Sequence, residues 1–142
     1  MGATVVLMAS STHFVANVRG IIADCGFTSP EEIIGKVLRD RTHLPPYPML
    51  WLLDLYTRLF ADFRLKEYST VEALRRSNYP VLFLHGTKDG FVPVEMTKRN
   101  YDACRSEKTL LLVEGATHGM SYLAERERVE AAYIEFLNRH LQ

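Results

Sequence analysis

Residues 80–93 read PVLFLHGTKDGFVP, and this stretch decides the fold that the sequence predicts. Its first part, residues 80–85, is an apolar run with the length of a buried strand. A loop that carries Asp89 follows, and Pro93 suits the first turn of a helix. The stretch therefore predicts a strand that leads through a polar loop into a helix.

Two further runs of strand length flank this stretch. Residues 18–23 (VRGIIA) predict a buried strand before it, and residues 109–113 (TLLLV) predict a third strand after it. Helices are predicted over residues 2–10 and 126–141, and a helix from Pro93 separates the second strand from the third. Strands that alternate with helices predict an α/β fold with three parallel strands covered on both faces.

Residues 30–67 predict a helical insertion between the first two strands. The sequence SPEE over residues 29–32 is a helix start signal with a capping box and a proline at the first helical position. The prolines in residues 45–48 break the chain before an apolar helix over residues 49–63. A further capped helix begins at residue 69 and is expected to end near residues 77–78.

The composition indicates one ordinary globular domain over residues 1–142. Of these residues, 47% are hydrophobic and 24% are charged, and Lys plus Arg equals Asp plus Glu at 17 each. Such a balance gives no global field that attracts nucleic acid or an anionic membrane. Cys25 and Cys104 show no disulfide pattern, and no basic leader opens the chain, so we expect a cytoplasmic protein without a membrane partner.

Asp89 and His118 each follow a predicted strand. In open parallel sheets, ligands bind beyond the carboxyl ends of the strands. A buried carboxylate that accepts an imidazole N–H fixes the tautomer, so the other ring nitrogen can act as a general base. Each residue alone is equally consistent with a turn or loop role. In this order, with one helix between them, they favour a catalytic acid and base.

These loops resemble the α/β-hydrolase superfamily, where HGxxD(x)xVP after one strand supplies the acid and GxxH after the next supplies the base. The matching residues are HGTKDGFVP over 85–93 and GATH over 115–118. The resemblance is to bacterial peptidase-like and acyltransferase-like serine hydrolases, with residues 30–67 as the helical cap, and it covers essentially the whole chain as the C-terminal part of that fold. It implies hydrolysis of small carboxylic esters, thioesters or amides without a cofactor.

The resemblance also implies a nucleophilic serine in a G-x-S-x-G elbow between a strand and a helix. Met1 and Gly2 match the two residues that follow that serine, which places the backbone N–H of Met1 in the oxyanion hole. We therefore expect a fragment that lacks its nucleophile and is inactive alone. The apolar strand over residues 18–23 would then be an open edge, which predicts self-association or pairing with a separately supplied N-terminal half.

Two other functions remain open at this stage. One is a noncatalytic binding or interaction module derived from the same fold. The other is a hydrolase with a relocated nucleophile, for which Ser10, Ser11 and Cys25 are the candidates. The two serines fall at the far end of the opening helix, and no elbow surrounds Cys25. Asp24 is a minor alternative for the acid.

The remaining candidates concern the substrate pocket and metals. Trp51, Tyr56 and Phe91 are candidate pocket residues, although apolar residues at helical spacing in this region are also typical of simple packing. His85 is expected to stabilise the acid loop. The other histidines show no ligand spacing such as HxxxH, so no metal site is predicted; they are His13, His43 and His140.

Overall fold

A computed structural model of the chain, which describes residues 1–12 and 17–141, confirms the α/β fold. Three strands, β1 (Ile21–Asp24), β2 (Val81–Gly86) and β3 (Lys108–Val113), form a parallel sheet in the order β1-β2-β3. Strand β1 begins three residues later than predicted. Its first partner is the first residue of β2, since Ile21 pairs with Val81, and the residues before it have no strand to pair with.

Seven helices surround the sheet in the described part of the chain. They are α1 (Gly2–Ala9), α2 (Pro30–Thr42), α3 (Met49–Phe60), α4 (Thr70–Leu74), α5 (Val94–Ala103), α6 (Ser121–Ala124) and α7 (Arg126–His140). Helix α3 ends three residues earlier than predicted, because Asp62 adopts a left-handed backbone conformation with φ 54° that a helix does not contain. Helix α4 also ends early, and the short α6 was not predicted.

The core has one cluster of buried side chains on each face of the sheet. The first cluster joins the sheet to α1, α4 and the end of α5, and it contains Leu7, Ile21, Ala23, Leu74, Val81, Phe83 and Cys104. The second joins the sheet to α7, and it contains Leu82, Leu84, Leu111, Val113, Ala116, Val129 and Phe136. Alternate residues of β2 therefore serve opposite faces, which confirms the predicted coverage.

Helix α2 begins where the sequence predicts. The Ser29 hydroxyl accepts a hydrogen bond from the Glu32 amide at 3.2 Å, as expected of a cap. The Glu32 carboxylate, however, pairs with the Arg99 guanidinium of α5, with one N–O distance of 3.0 Å, instead of bonding back to Ser29. A third buried cluster, formed by Phe27, Ile33, Val92 and Met96, holds α2 against the loop and helix that follow β2.

Helix α3 turns only Leu50 fully inward. Leu53 is partly buried, and the other large apolar side chains of the helix are exposed to solvent; they are Met49, Trp51, Leu52, Leu55, Tyr56, Leu59 and Phe60. None of the helices within residues 1–12 and 17–141 combines the length and apolar character needed to cross a bilayer. Strand β1 lies at one edge of the sheet and, within the described residues, pairs with β2 alone.

Candidate active site

The loops after β2 and β3 are bonded to each other, which fixes their relative position. The amide of Thr87 donates to the Val113 carbonyl at 2.9 Å, and that of Lys88 donates to the Ala116 carbonyl at 3.0 Å. At Gly86, a Cβ would lie 2.3 Å from the Ala116 carbonyl oxygen, so only glycine allows this approach. The parallel pairing of β2 and β3 thus continues into the loops that carry Asp89 and His118.

The structure brings Asp89 and His118 together. The Nδ1 atom of His118 lies 2.7 Å from Oδ2 of Asp89. The Asp89 side chain is fully buried, whereas the His118 side chain is 42% exposed. Since Nδ1–H donates to the carboxylate, Nε2 is the ring nitrogen left to accept a proton. This is the geometry of an oriented base, although the catalytic role of the pair stays a prediction.

The second carboxylate oxygen of Asp89 is held by the backbone. Oδ1 accepts hydrogen bonds from the amides of Phe91 and Val92, each at 2.9 Å. Burial acts to raise the pKa of the Asp89 carboxyl, but the hydrogen bond from His118 and the two amides together lower it below its ordinary value. Asp89 is therefore ionised at neutral pH and suited to orient an imidazole.

His85 also contacts the Asp89 carboxylate. Its Nε2 lies 2.9 Å from the Val92 carbonyl oxygen and 3.2 Å from Oδ2 of Asp89. Because both of these partners are acceptors, Nε2 must carry a proton. Nδ1 lies 2.6 Å from the Thr97 hydroxyl of α5, which completes the hydrogen bonding of the buried ring. This arrangement supports the predicted role of His85 in stabilising the acid loop.

Cys25 lies next to His85 and Asp89. Because all three side chains carry possible ligand atoms, we asked whether they fit a metal ion. One ligand atom each from Cys25, His85 and Asp89 lie within 4.8 Å of one another. Metal ligation requires a thiolate, yet burial, together with the nearby carboxylates of Asp24 and Asp89, raises the pKa of the Cys25 thiol to about 12. The imidazole and carboxylate already form hydrogen bonds. The donor set therefore fits a hydrogen-bonded cluster better than a cation.

The other sequence candidates have hydrogen-bond partners outside the pair. Ser10 is buried at the far end of α1, where its hydroxyl donates to the Leu7 carbonyl at 2.6 Å, and Ser11 donates to Met8. The raised pKa of Cys25 opposes its action as a nucleophile. Asp24 accepts hydrogen bonds from the Cys25 thiol and, at 3.4 Å, from the Ser121 hydroxyl.

Of the remaining histidines, the two within the described residues have other surroundings. His43 caps the C-terminus of α2 in a left-handed conformation, and His140 packs its ring on Phe136 at the end of α7. His13 lies outside the described residues.

A cavity of about 410 Å³ adjoins His118. Phe91 lines it, as the sequence predicts for a pocket residue, and so does Met1 at the start of α1. Trp51 and Tyr56 do not line this cavity, and their side chains are instead 59% and 60% exposed to solvent. The wall comes instead from residues of α2 that the sequence analysis did not select, although their apolar spacing along a capped helix was visible; they are Ile33, Ile34, Val37 and Leu38.

Comparison with known families defines the class of the protein. A three-stranded parallel sheet with helices on both faces, and an acid and a histidine on the loops after adjacent strands, is what the α/β-hydrolase resemblance implies. A family model for the TAP-like proteins, a family of α/β-hydrolases, matches residues 64–140, more than half of the chain. The chain belongs to this TAP-like family, and the predicted membership of the α/β-hydrolase superfamily is confirmed.

Individual relatives agree with this assignment. The chain is similar to the uncharacterized protein YqkD of Bacillus subtilis, with 33% identity over 138 residues that cover 97% of this chain and 45% of YqkD. The Pyrococcus furiosus esterase Pf2001 has a similar fold, with a TM-score of 0.70 at 18% identity over 99% of this chain and 51% of the esterase. Likewise, an acylaminoacyl peptidase of Pyrococcus horikoshii gives a TM-score of 0.64 at 16% identity, over 99% of this chain and 23% of the peptidase. The chain spans less than half the length of the curated relatives it matches.

Proposed function

We propose that this chain supplies the acid and the base of a serine hydrolase that acts on carboxylic esters, thioesters or amides. The observation that carries the proposal is the hydrogen bond of 2.7 Å between Nδ1 of His118 and Oδ2 of Asp89, beside a cavity. Asp89 orients the ring, and Nε2 of His118 takes the proton from a serine hydroxyl and returns it to the leaving group.

We propose that the nucleophilic serine directly precedes Met1 in the complete protein. The support is the position of Met1, which begins α1 and lines the same cavity as His118. In the elbow pattern, the backbone N–H of the residue after the serine stabilises the oxyanion, and Met1 takes this role. On this proposal residues 1–142 form a partial domain with residues 30–67 as its cap, and they do not hydrolyse substrate by themselves.

Fluorophosphonate labelling followed by intact-mass measurement tests this proposal. The protein extended upstream through Gly-x-Ser should be labelled once, whereas residues 1–142 should not react. His118→Ala should slow labelling by roughly 10²–10⁴-fold, the usual contribution of a general base. His43→Asn is the matched control, because His43 is an exposed histidine at the end of α2 and the replacement tolerates its left-handed backbone. Equal labelling of His118→Ala and the parent would contradict the assignment.

The alternative is a noncatalytic interaction module. One observation favours it, namely the exposed apolar face of α3 together with the open edge of β1. Self-association through that edge is the corresponding partner proposal, and light scattering at dilute concentration tests it. An extended protein that contains the serine, folds and resists labelling would favour this alternative. A cytoplasmic location is proposed on separate grounds, since Cys25 and Cys104 are both free thiols.

A further inference from the structure

We infer that the cavity beside His118 binds the apolar acyl group of the substrate, and that Ile34 and Val37 of α2 limit the length of that group. This inference rests on the proposed serine hydrolase activity and names its substrate class. The physical basis is the position, the lining and the mechanical support of the cavity of about 410 Å³.

The lining is almost wholly apolar. Of the residues that line the cavity, only His118 carries a polar side chain, and the others are Met1, Phe27, Pro30, Ile33, Ile34, Val37, Leu38, Phe91 and Val92. A charged or strongly polar group placed there would lose its water without gaining a side-chain hydrogen-bond partner other than His118. The cavity therefore selects hydrocarbon.

The cavity lies next to the place where the carbonyl carbon of the acyl group would react. His118 and Met1 lie in its wall, and the ring of Phe91 packs edge-on against the imidazole with a centroid distance of 5.1 Å. An acyl carbon between the base and the start of α1 would have its hydrocarbon chain directed under α2. A larger cavity of about 600 Å³ lies elsewhere and has Lys66, Glu67 and Arg76 in its walls, so it lacks both features.

The wall of the cavity has a fixed side and an adjustable side. Phe27, Ile33 and Val92 are buried in the cluster that joins α2 to the acid loop, so they form a rigid floor. Ile34 and Val37 lie one turn apart on α2 and are only partly buried. Substitutions at these two positions change the room for a ligand. Ile34 also packs against the buried cluster, so Val37 is the position whose substitution disturbs the core less.

Lys36 links α2 to the acid loop beside the cavity. Its ammonium group donates to the Gly90 carbonyl of the acid loop and pairs with Asp40 one turn further along α2, at 2.6 Å. Helix α2 is thereby tied to the residue that precedes Phe91. Because the tie joins the two walls of the cavity, we expect a defined cut-off in acyl length instead of a gradual decline.

The test uses the protein extended through its serine and a series of p-nitrophenyl esters from acetate to dodecanoate. Each added methylene should raise kcat/KM by roughly fourfold, the value of one buried CH₂, until the cavity is full. Ile34→Trp should reduce the ratio of the octanoate to the acetate kcat/KM at least tenfold. Val37→Phe serves as a second variant at the same wall. Ile134→Trp is the matched control, because Ile134 is an exposed isoleucine of α7 far from the cavity.

A binding measurement separates this inference from the proposed function. In methyl-labelled NMR spectra, 1-octanol should shift the resonances of Ile34 and Val37, and 1,8-octanediol should shift them less. Two results would overturn the acyl site while the proposed hydrolase stands. One is a protein that fluorophosphonate labels but whose kcat/KM does not depend on the acyl length of the ester, and the other is octanol shifts confined to Leu52 and Leu59 on α3. Octanol binding without fluorophosphonate labelling would overturn the proposed function and the acyl assignment with it.

Discussion

At the carboxyl ends of β2 and β3, polar and charged side chains are buried and bonded, whereas along α3 large apolar side chains face solvent. Asp89 and His85 are fully shielded and have partners for their side-chain oxygens and nitrogens. Trp51 and Phe60, by contrast, are 59% and 75% exposed. Both arrangements reverse the usual distribution of polar and apolar groups.

The difference between these regions lies in what stabilises each one. At the strand ends, hydrogen bonds to fixed backbone groups compensate the loss of water around buried polar atoms. Nothing in the described residues compensates the exposure of the α3 face. The strand ends therefore have one stable geometry within this chain, while α3 contributes few of its large side chains to the stability of the fold. The following predictions test this contrast.

The largest expected difference in stability is between alanine substitutions at two phenylalanines. Phe83 of β2 is 1% exposed and packs against Tyr101, so Phe83→Ala should lower the free energy of unfolding by about 3–5 kcal/mol. Phe60→Ala on α3 should change it by about 0.5 kcal/mol or less. Urea unfolding followed by circular dichroism measures both. A cost above 1 kcal/mol for Phe60→Ala would contradict the contrast, because it would mean that Phe60 is shielded from solvent in the folded protein.

The next largest expected difference in stability is between alanine substitutions at two glycines. Gly86→Ala places a methyl group 2.3 Å from the Ala116 carbonyl oxygen, and the backbone must move, so we expect a cost of about 3 kcal/mol. In α2, the methyl group of Gly35→Ala would lie 3.2 Å from the tip of the Leu50 side chain and at an ordinary contact distance of 3.8 Å from Cβ of Pro46. That tip can move, and alanine is favoured in a helix by about 1 kcal/mol, so the net change should be small. Similar melting temperatures for the two variants would contradict this account.

A pair of threonines tests the hydrogen bonds themselves. Thr97→Val removes the hydroxyl that contacts Nδ1 of His85 and the Gly26 carbonyl, and it should cost about 2 kcal/mol because buried groups lose their partner. Thr57→Val on α3 removes only a local bond to the Asp54 carbonyl and should change stability by about 0.5 kcal/mol or less. The Thr97 variant should also broaden or shift the His85 ring resonances, whereas the Thr57 variant should not.

The smallest effect concerns pH. The folded state lowers the pKa of Asp89 against the opposing effect of burial, so its contribution to stability is constant above the unfolded pKa of about 3.9 and is lost as pH falls through the folded pKa. Glu32 on α2 also has a lowered pKa, because its hydrogen bond to Arg99 outweighs the effect of burial.

Salt should affect the contributions of the two carboxylates to the pH dependence of stability differently. The Glu32 side chain is 38% exposed, so 1 M NaCl should weaken its part of the acid slope, while the part removed by Asp89→Asn should persist. Urea midpoints between pH 7 and 3 for Asp89→Asn and Glu32→Gln measure this. An equal response of both to salt would show that Asp89 is hydrated.

Local signals explain why much of the fold was predictable. Strand β2 is a continuous apolar run because both faces of a central parallel strand are buried, and this pattern is visible in residues 80–85. Ser29 and Ser69 cap α2 and α4 because a short hydroxyl side chain reaches the free amides of the first turn, which depends on neighbouring residues alone. The order of strands, acid and histidine then placed Asp89 and His118 on adjacent loops.

Predictions that depended on distant partners were less accurate. The start of β1 was misplaced because its length is set by pairing with β2, and the carboxylate of Glu32 was assigned to its own cap because Arg99 is far away in sequence. Trp51 and Tyr56 were candidates for the pocket or for packing on the core, and the structure leaves both exposed because Leu50 is the residue that α3 buries.

The sequence by itself determined the order of elements and the parallel sheet, and it predicted that Asp89 and His118 lie on adjacent loops, because these follow from local patterns of polarity and turn residues. Only the tertiary structure decided that Thr97 holds the His85 ring, that burial raises the pKa of the Cys25 thiol beside Asp89, and that α2 instead of α3 lines the cavity next to His118. Those features arise from contacts between residues far apart in the chain, and burial and close approach exist only after the chain has folded.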